Sequence, residues 1–133
     1  MPESMENRGA ARAPEVTAGP SLTFDLAEQV KELRQESYWQ SGRNSKTLVK
    51  YDDFRIVLTA IQAKTTIHEH QTDGRIAVQT VEGHLRMHAG GKEFDLPAGH
   101  VLVLDRAMPH DVVALQDSAF LLTIAWPEEG NRH

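Results

Sequence analysis

Apolar positions along the chain change their period once. Leu26, Val30 and Leu33 recur at i, i+4, i+7 with Glu, Gln, Lys and Arg between them, which predicts an amphipathic helix over about residues 25–37. Asp25 followed by Glu28 matches a capping box at its start. After the polar stretch SGRNS and Lys46 the period is two. Phe54, Ile56, Leu58 and Ala60 alternate with Arg55, Val57, Thr59 and Ile61, and Leu85 and Met87 alternate with His84, Arg86 and His88. Phe94 and Leu96 alternate with Glu93 and Asp95, and Phe120, Leu122 and Ile124 with Leu121, Thr123 and Ala125. Turn signals separate these runs: Asp52-Asp53, Asp73-Gly74, Gly90-Gly91, Pro97-Ala98-Gly99, Arg106 to Pro109 and Gln116-Asp117. Gly90-Gly91 suits a two-residue hairpin, where positive φ is required. About eight or nine short strands at regular turn spacing predict an antiparallel sandwich or barrel.

The ends read differently. Residues 1–20 contain three Pro and two Gly without periodicity, so they cannot bury enough apolar surface to offset ordering entropy, and a flexible tail is expected. The chain divides into that tail, a helix and linker over 21–45, a barrel over 46–127, and a polar C-terminal tail over 128–133.

Composition narrows the function classes. The chain has 133 residues, 40% hydrophobic and 25% charged, with a net charge of −5. That size suits one domain, and the negative balance argues against a nucleic-acid partner, which needs clustered Lys and Arg. The absence of cysteine removes disulfides, thiolate metal sites and a Cys nucleophile, and is consistent with a reducing cytoplasm. No apolar run is long enough for a membrane helix, and the N-terminus lacks the apolar core of a signal peptide. A cytoplasmic protein with no membrane partner is expected.

Candidate chemistry sits in residues 65–83, TTIHEHQTDGRIAVQTVEG. On a regular strand His68 and His70 share one face, about 6.5–7 Å apart, and Glu69 takes the other. Two readings stand: a pair of metal ligands, or two polar residues on an exposed face. His110, after Pro109, offers the third nitrogen that an all-imidazole site needs.

With these residues the sequence resembles the cupin family, small jelly-roll barrels defined by two motifs. The first runs HxH, three or four residues, Glu, six residues, Gly, and stands here as HEHQTDGRIAVQTVEG, ending on Gly83. The second runs PxG, a strand, a short loop and His, and stands here as LPAGHVLVLDRAMPHDVV, from Pro97 through Gly99 to His110. The resemblance covers roughly residues 46–126. It implies an all-β antiparallel jelly-roll barrel with one short N-terminal helix, and a divalent transition metal (Fe, Mn, Ni, Zn or Co) bound by His68, His70 and His110. It also implies a homodimer.

The sequence departs from the motif at its carboxylate. Counting forward from His70 the Glu slot is Arg75; counting back from Gly83 it is Ile76. Neither ligates a cation. Gln79 is the nearest other donor, but by parity it faces away from Ile76. Three neutral imidazoles would leave a divalent ion its full charge, with open positions for water or an anionic ligand. Arg75 either turns outward or faces an anion, since it would otherwise repel the ion.

Other residues have plainer readings. His84 and His88 share a solvated outer face with Arg86, and His100 is a turn residue. Tyr38-Trp39 suits core or lid packing, Trp126 packing or a dimer contact, and Arg43 a pocket or a loop cap. Asp105 is placed to pair with Arg106 or its loop. No serine lies in a nucleophile elbow. The expectation is a metal-binding barrel acting on a small-molecule ligand, an anion among the candidates, by dioxygenase, isomerase or lyase chemistry. The alternative is a non-catalytic ligand- or metal-binding module or a structural dimer.

Overall fold

The computed structural model describes residues 20–127, the side chains of Glu69 and His70 excepted. The two tails expected at 1–20 and 128–133 lie outside this range, apart from Pro20. One helix, α1 (Leu26–Gln35), and a 3₁₀ turn (Ser37–Ser41) precede nine strands. These are β1 (Arg43–Lys50), β2 (Phe54–Ile61), β3 (Thr66–His70), β4 (Arg75–Glu82), β5 (His84–Ala89), β6 (Lys92–Pro97), β7 (Val101–Leu104), β8 (His110–Ala114) and β9 (Ser118–Ala125).

Alternation in the sequence becomes two facing antiparallel sheets, ordered β1-β2-β9-β4-β7 and β3-β8-β5-β6. Their inner faces bury one core that includes Val57, Ile76, Val78, Leu85, Met87, Val112, Phe120 and Leu122. Each such side chain contributes about 1.5–3 kcal/mol when fully buried. The architecture is an all-β jelly-roll barrel with one helix. Ala89 pairs with Lys92 across Gly90 and Gly91, whose φ values are +58° and +77°, as the glycine pair predicts.

β2 reads as apolar on both parities because both of its faces are covered. Val57 and Ile61 face the barrel interior. Leu58 and Ala60 face outward against Val30 and Leu33 of α1, with Leu48, Val49 and Ala119 completing this second core. Asp25 caps α1 by accepting from the Glu28 N–H at 3.1 Å.

The polar run GRNS, which reads as linker, caps the 3₁₀ turn with Gly42 and starts β1 at Arg43. Its side chains are used internally. Asn44 Nδ2 donates to the Leu33 carbonyl at 3.0 Å and to Glu36 Oε1 at 2.8 Å, joining the long Glu36 N–H bond of 3.4 Å on the same carbonyl at the end of α1. Ser45 and Thr59, directly opposite across β1 and β2, share a buried hydroxyl hydrogen bond of 2.8 Å. Tertiary partners therefore turn a polar segment into a buried strand. Among the described residues no helix is long and apolar enough to cross a membrane.

Candidate metal centre at the barrel mouth

One end of the barrel collects the chemistry. β3 ends there at His70, β8 starts there at His110, and β4 and β2 start beside the end of β9. His110 lies between β3 and β5, with His70 and Ala89 as its Cα partners. Two short loops close this end and are joined by the Ala107 N–H donating to the Thr72 carbonyl at 2.9 Å.

The β3–β8 ladder contains an irregularity at the histidines. Ile67 pairs with Val112 and His70 with His110, so β3 has one more residue than β8 between those rungs. Ile67 is buried and His68 exposed. The simple alternation that would put His68 and His70 on one face is interrupted between them, which is the geometry of a bulge. The same shift brings His70 to the rung of His110.

His110 is 3% exposed. Its Nδ1 lies 3.0 Å from the Met108 carbonyl. A carbonyl only accepts, so in the neutral ring Nδ1 carries the hydrogen and Nε2 the lone pair. A backbone carbonyl holding the far nitrogen of an imidazole is the arrangement that fixes a histidine for metal ligation. Among the described side chains, which exclude that of His70, no group of three His, Cys, Asp or Glu comes together that could hold a metal.

β4 puts the two positions that counting offers for the carboxylate slot on opposite faces. Ile76 is buried in the barrel core, opposite Leu104 and Ile124. Arg75 and Gln79 are exposed on the opposite parity, so neither faces the interior. Arg75 Nε contacts Asp105 Oδ1 at 3.1 Å, and Asp105 also accepts from the Arg106 N–H at 2.8 Å. The Arg106 amide, followed by the charge of Arg75, holds the Asp105 carboxyl below its usual range. Arg75 thus completes a surface loop contact at the rim.

The outer sheet face carries the other histidines. His88 Nδ1 lies 2.9 Å from Asp111 Oδ1 and Nε2 3.3 Å from Glu93 Oε1. These carboxylates, Asp111 first, raise the His88 pKa above 6.5 against the opposing effect of desolvation. His84 lies on the same face, 3.7 Å from Asp95, and His100 is exposed in the turn before β7. Trp39 packs under the helix, where the Arg34 guanidinium lies 5.4 Å from its ring centre. Arg43 pairs with Ile61, about 20 Å along β2 from the mouth.

Sequence reasoning missed Arg55, and linked neither Trp126 nor Asp73 to the mouth. Arg55 pairs with Ile124, a core residue, so it lies on the inward parity of β2. Its guanidinium sits 5.1 Å from the Trp126 ring centre, and Trp126 Nε1 donates to Asp73 Oδ1 at 2.6 Å. The available signal was parity: Arg55 alternates in phase with Val57, Thr59 and Ile61.

Solved structures share this arrangement of strands. A conserved protein of unknown function from Streptococcus pyogenes matches over 88% of this chain and 97% of its own, at 21% identity and TM-score 0.67. An RmlC-like cupin from Desulfovibrio desulfuricans matches over 65% of this chain and 84% of its own, at 26% identity and TM-score 0.59. The barrel is a cupin fold. Within that fold, salicylate 1,2-dioxygenase from Pseudoaminobacter salicylatoxidans matches over 77% of this chain but 34% of its own, at 14% identity and TM-score 0.69. No protein-family model matches the sequence, and no curated protein does. The cupin neighbours thus fix the architecture, and the chemistry must be argued from the mouth.

Proposed function

We propose that this cupin barrel binds one divalent transition metal at its mouth through His110, His70 and His68, and presents it to a small organic substrate. The observation that supports this reading most is the placement of His110: buried, on the rung of His70, with its Nδ1 hydrogen committed to the Met108 carbonyl. That tautomer leaves Nε2 as the ligating nitrogen. Imidazole nitrogens suit Fe, Ni and Zn. Bound there, the metal would supply Lewis-acid polarisation or dioxygen chemistry.

The chain itself contributes position and exclusion. Ile76 in the carboxylate slot leaves the donor set without an anionic ligand from β4. Ile124, Ile76 and Met108 give this end apolar walls, which favours a substrate with hydrocarbon surface. No carboxylate from β4 faces inward to move protons, so a dioxygenase-type reaction, which relies on open metal positions, fits better than an isomerase or lyase reaction.

The buried isoleucine also favours a second reading, in which the barrel holds metal or ligand without turnover. Elemental analysis of tag-free protein tests the common step. About one equivalent of a transition metal, lost in a His70→Ala/His110→Ala protein, is expected. Less than about 0.1 equivalents, with no rise in thermal midpoint on adding metal, overturns the metal reading. Turnover of aromatic or hydroxylated acids under air then separates enzyme from binding module.

A further inference from the structure

The loop before His110 contains a backbone conformation that its residue type disfavours. Ala107 has φ +61°, and among the described non-glycine residues only Lys64 shares a positive φ. In that region the Cβ of an L-residue crowds the following carbonyl oxygen. Such a residue persists only where its surroundings hold it. Here the holding contact is the Thr72 carbonyl, which accepts from the Ala107 N–H at 2.9 Å. Thr72 belongs to the loop joining His70 to Arg75, and its hydroxyl accepts from the Gly74 N–H at 3.4 Å within that loop.

The group aimed by this joint is the Met108 carbonyl. Pro109 follows Met108, and a residue before proline is held to extended backbone, so the adjustable angle is the one at Ala107. The Met108 side chain is anchored as well. It packs against the barrel core, and its Cε sits 2.9 Å from where a Cβ on Gly90 would stand, next to Ala89, a Cα partner of His110. The Met108 carbonyl lies 3.0 Å from His110 Nδ1 and can only accept, which keeps the hydrogen on that nitrogen. Returning Ala107 to an ordinary negative φ, a change of more than about 100°, swings the Met108 peptide away from the ring.

We propose that Ala107 is a positioning residue for His110. The tie from the loop after His70 holds Ala107 left-handed, and that conformation keeps the Met108 carbonyl on Nδ1 and the lone pair on Nε2. The loop leaving one candidate ligand thereby sets the tautomer of another. This deepens the metal reading and rests on it only for the change in affinity; the tautomer itself needs no metal.

Long-range proton–nitrogen correlation spectra of the metal-free full-length protein test it, in alkaline buffer where imidazole is neutral, with His110→Gln for assignment. Wild type is expected to show the Nδ1–H form. Ala107→Val, whose branched side chain is excluded from the left-handed region, is expected to lose that form to Nε2–H. Its zinc affinity is expected to fall about 10–100-fold, the scale of a lost partner behind a ligating histidine. Ala107→Asn is of similar bulk but tolerates the left-handed region, and is expected to rescue both tautomer and affinity.

A folded Ala107→Val protein that is less stable yet keeps the Nδ1–H form overturns the proposal, since a merely structural loop residue would behave that way. Loss of the form in Ala107→Asn as well traces the effect to bulk and also overturns it. If Ala107→Val does not fold, wild type decides: an Ala107 amide that exchanges without protection, or a His110 ring in the Nε2–H form, overturns the proposal. A tautomer lost only in Ala107→Val, in protein that takes up no zinc, upholds the positioning and removes the metal reading. Equal zinc uptake in all three proteins with the tautomer unmoved does the reverse.

Discussion

His70 and His110 are directly opposite residues of the β3–β8 ladder, brought to one rung by a one-residue irregularity in β3. The consequence can be measured. Removing either imidazole from a three-nitrogen site costs more than disturbing an outer-shell partner, which is itself worth about 10–100-fold in affinity. His70→Ala and His110→Ala are therefore each expected to weaken metal binding by more than about a hundredfold. His68, exposed and on the far side of the irregularity, is expected to cost less. Competition against a chromophoric chelator gives all three values, and equal losses at His68 and His110 would show that the bulge does not separate their roles.

Ile76, the carboxylate slot when counted back from Gly83, faces the barrel core. Ile76→Glu is expected to tighten metal binding, and to destabilise the metal-free protein by about 2–4 kcal/mol through burial of an unpaired acid. Thermal melts with and without metal should therefore diverge more in this variant than in the wild type. Arg75→Ala, at an exposed ion pair with Asp105, is expected to change stability by less than about 1 kcal/mol and metal affinity hardly at all.

Gly83 connects β4 to β5 with φ +86°, and an added Cβ would collide with Ser118 and the Asp117 carbonyl. Ser118 is fixed: its Oγ accepts from the His84 N–H at 3.0 Å and donates to the Gln116 carbonyl at 2.7 Å. Gly83→Ala is expected to cost more than about 2 kcal/mol, read as a lower urea midpoint with an unchanged slope.

His88, between Asp111 and Glu93, has its pKa raised above 6.5. Its protonated form is favoured in the folded state, so its contribution to stability is complete below the unfolded value near 6.5 and fades as pH rises through the folded value. In Asp111→Asn the His88 ring resonances are expected to titrate at lower pH than in the wild type, and the fall in stability across that window should shrink. An unmoved titration midpoint would mean that Asp111 is not the main cause.

How much of this was legible in the sequence follows from which interactions are local. The helix start at Asp25, the Gly90-Gly91 hairpin, the inward set Leu85 and Met87, and the outer set His84, Arg86 and His88 depend on period and turn chemistry within a few residues. They lie where the pattern places them. The HxH spacing brought His68 and His70 forward, and the resemblance to the cupin motifs joined His110 to them and left the carboxylate slot ambiguous between Arg75 and Ile76.

Tertiary structure decided what local pattern could not. The extra residue in β3 is visible only against β8, because a bulge is a count of one strand relative to its partner. GRNS reads as linker until α1 and β2 supply partners for Asn44 and Ser45. Arg55 reads as one more surface charge until Ile124 and Trp126, distant in sequence, fix it at the mouth. The sequence by itself determined the strands, their faces and the histidines on offer; the pairing of those strands determined which residues meet, because register is a relation between segments that neither carries alone.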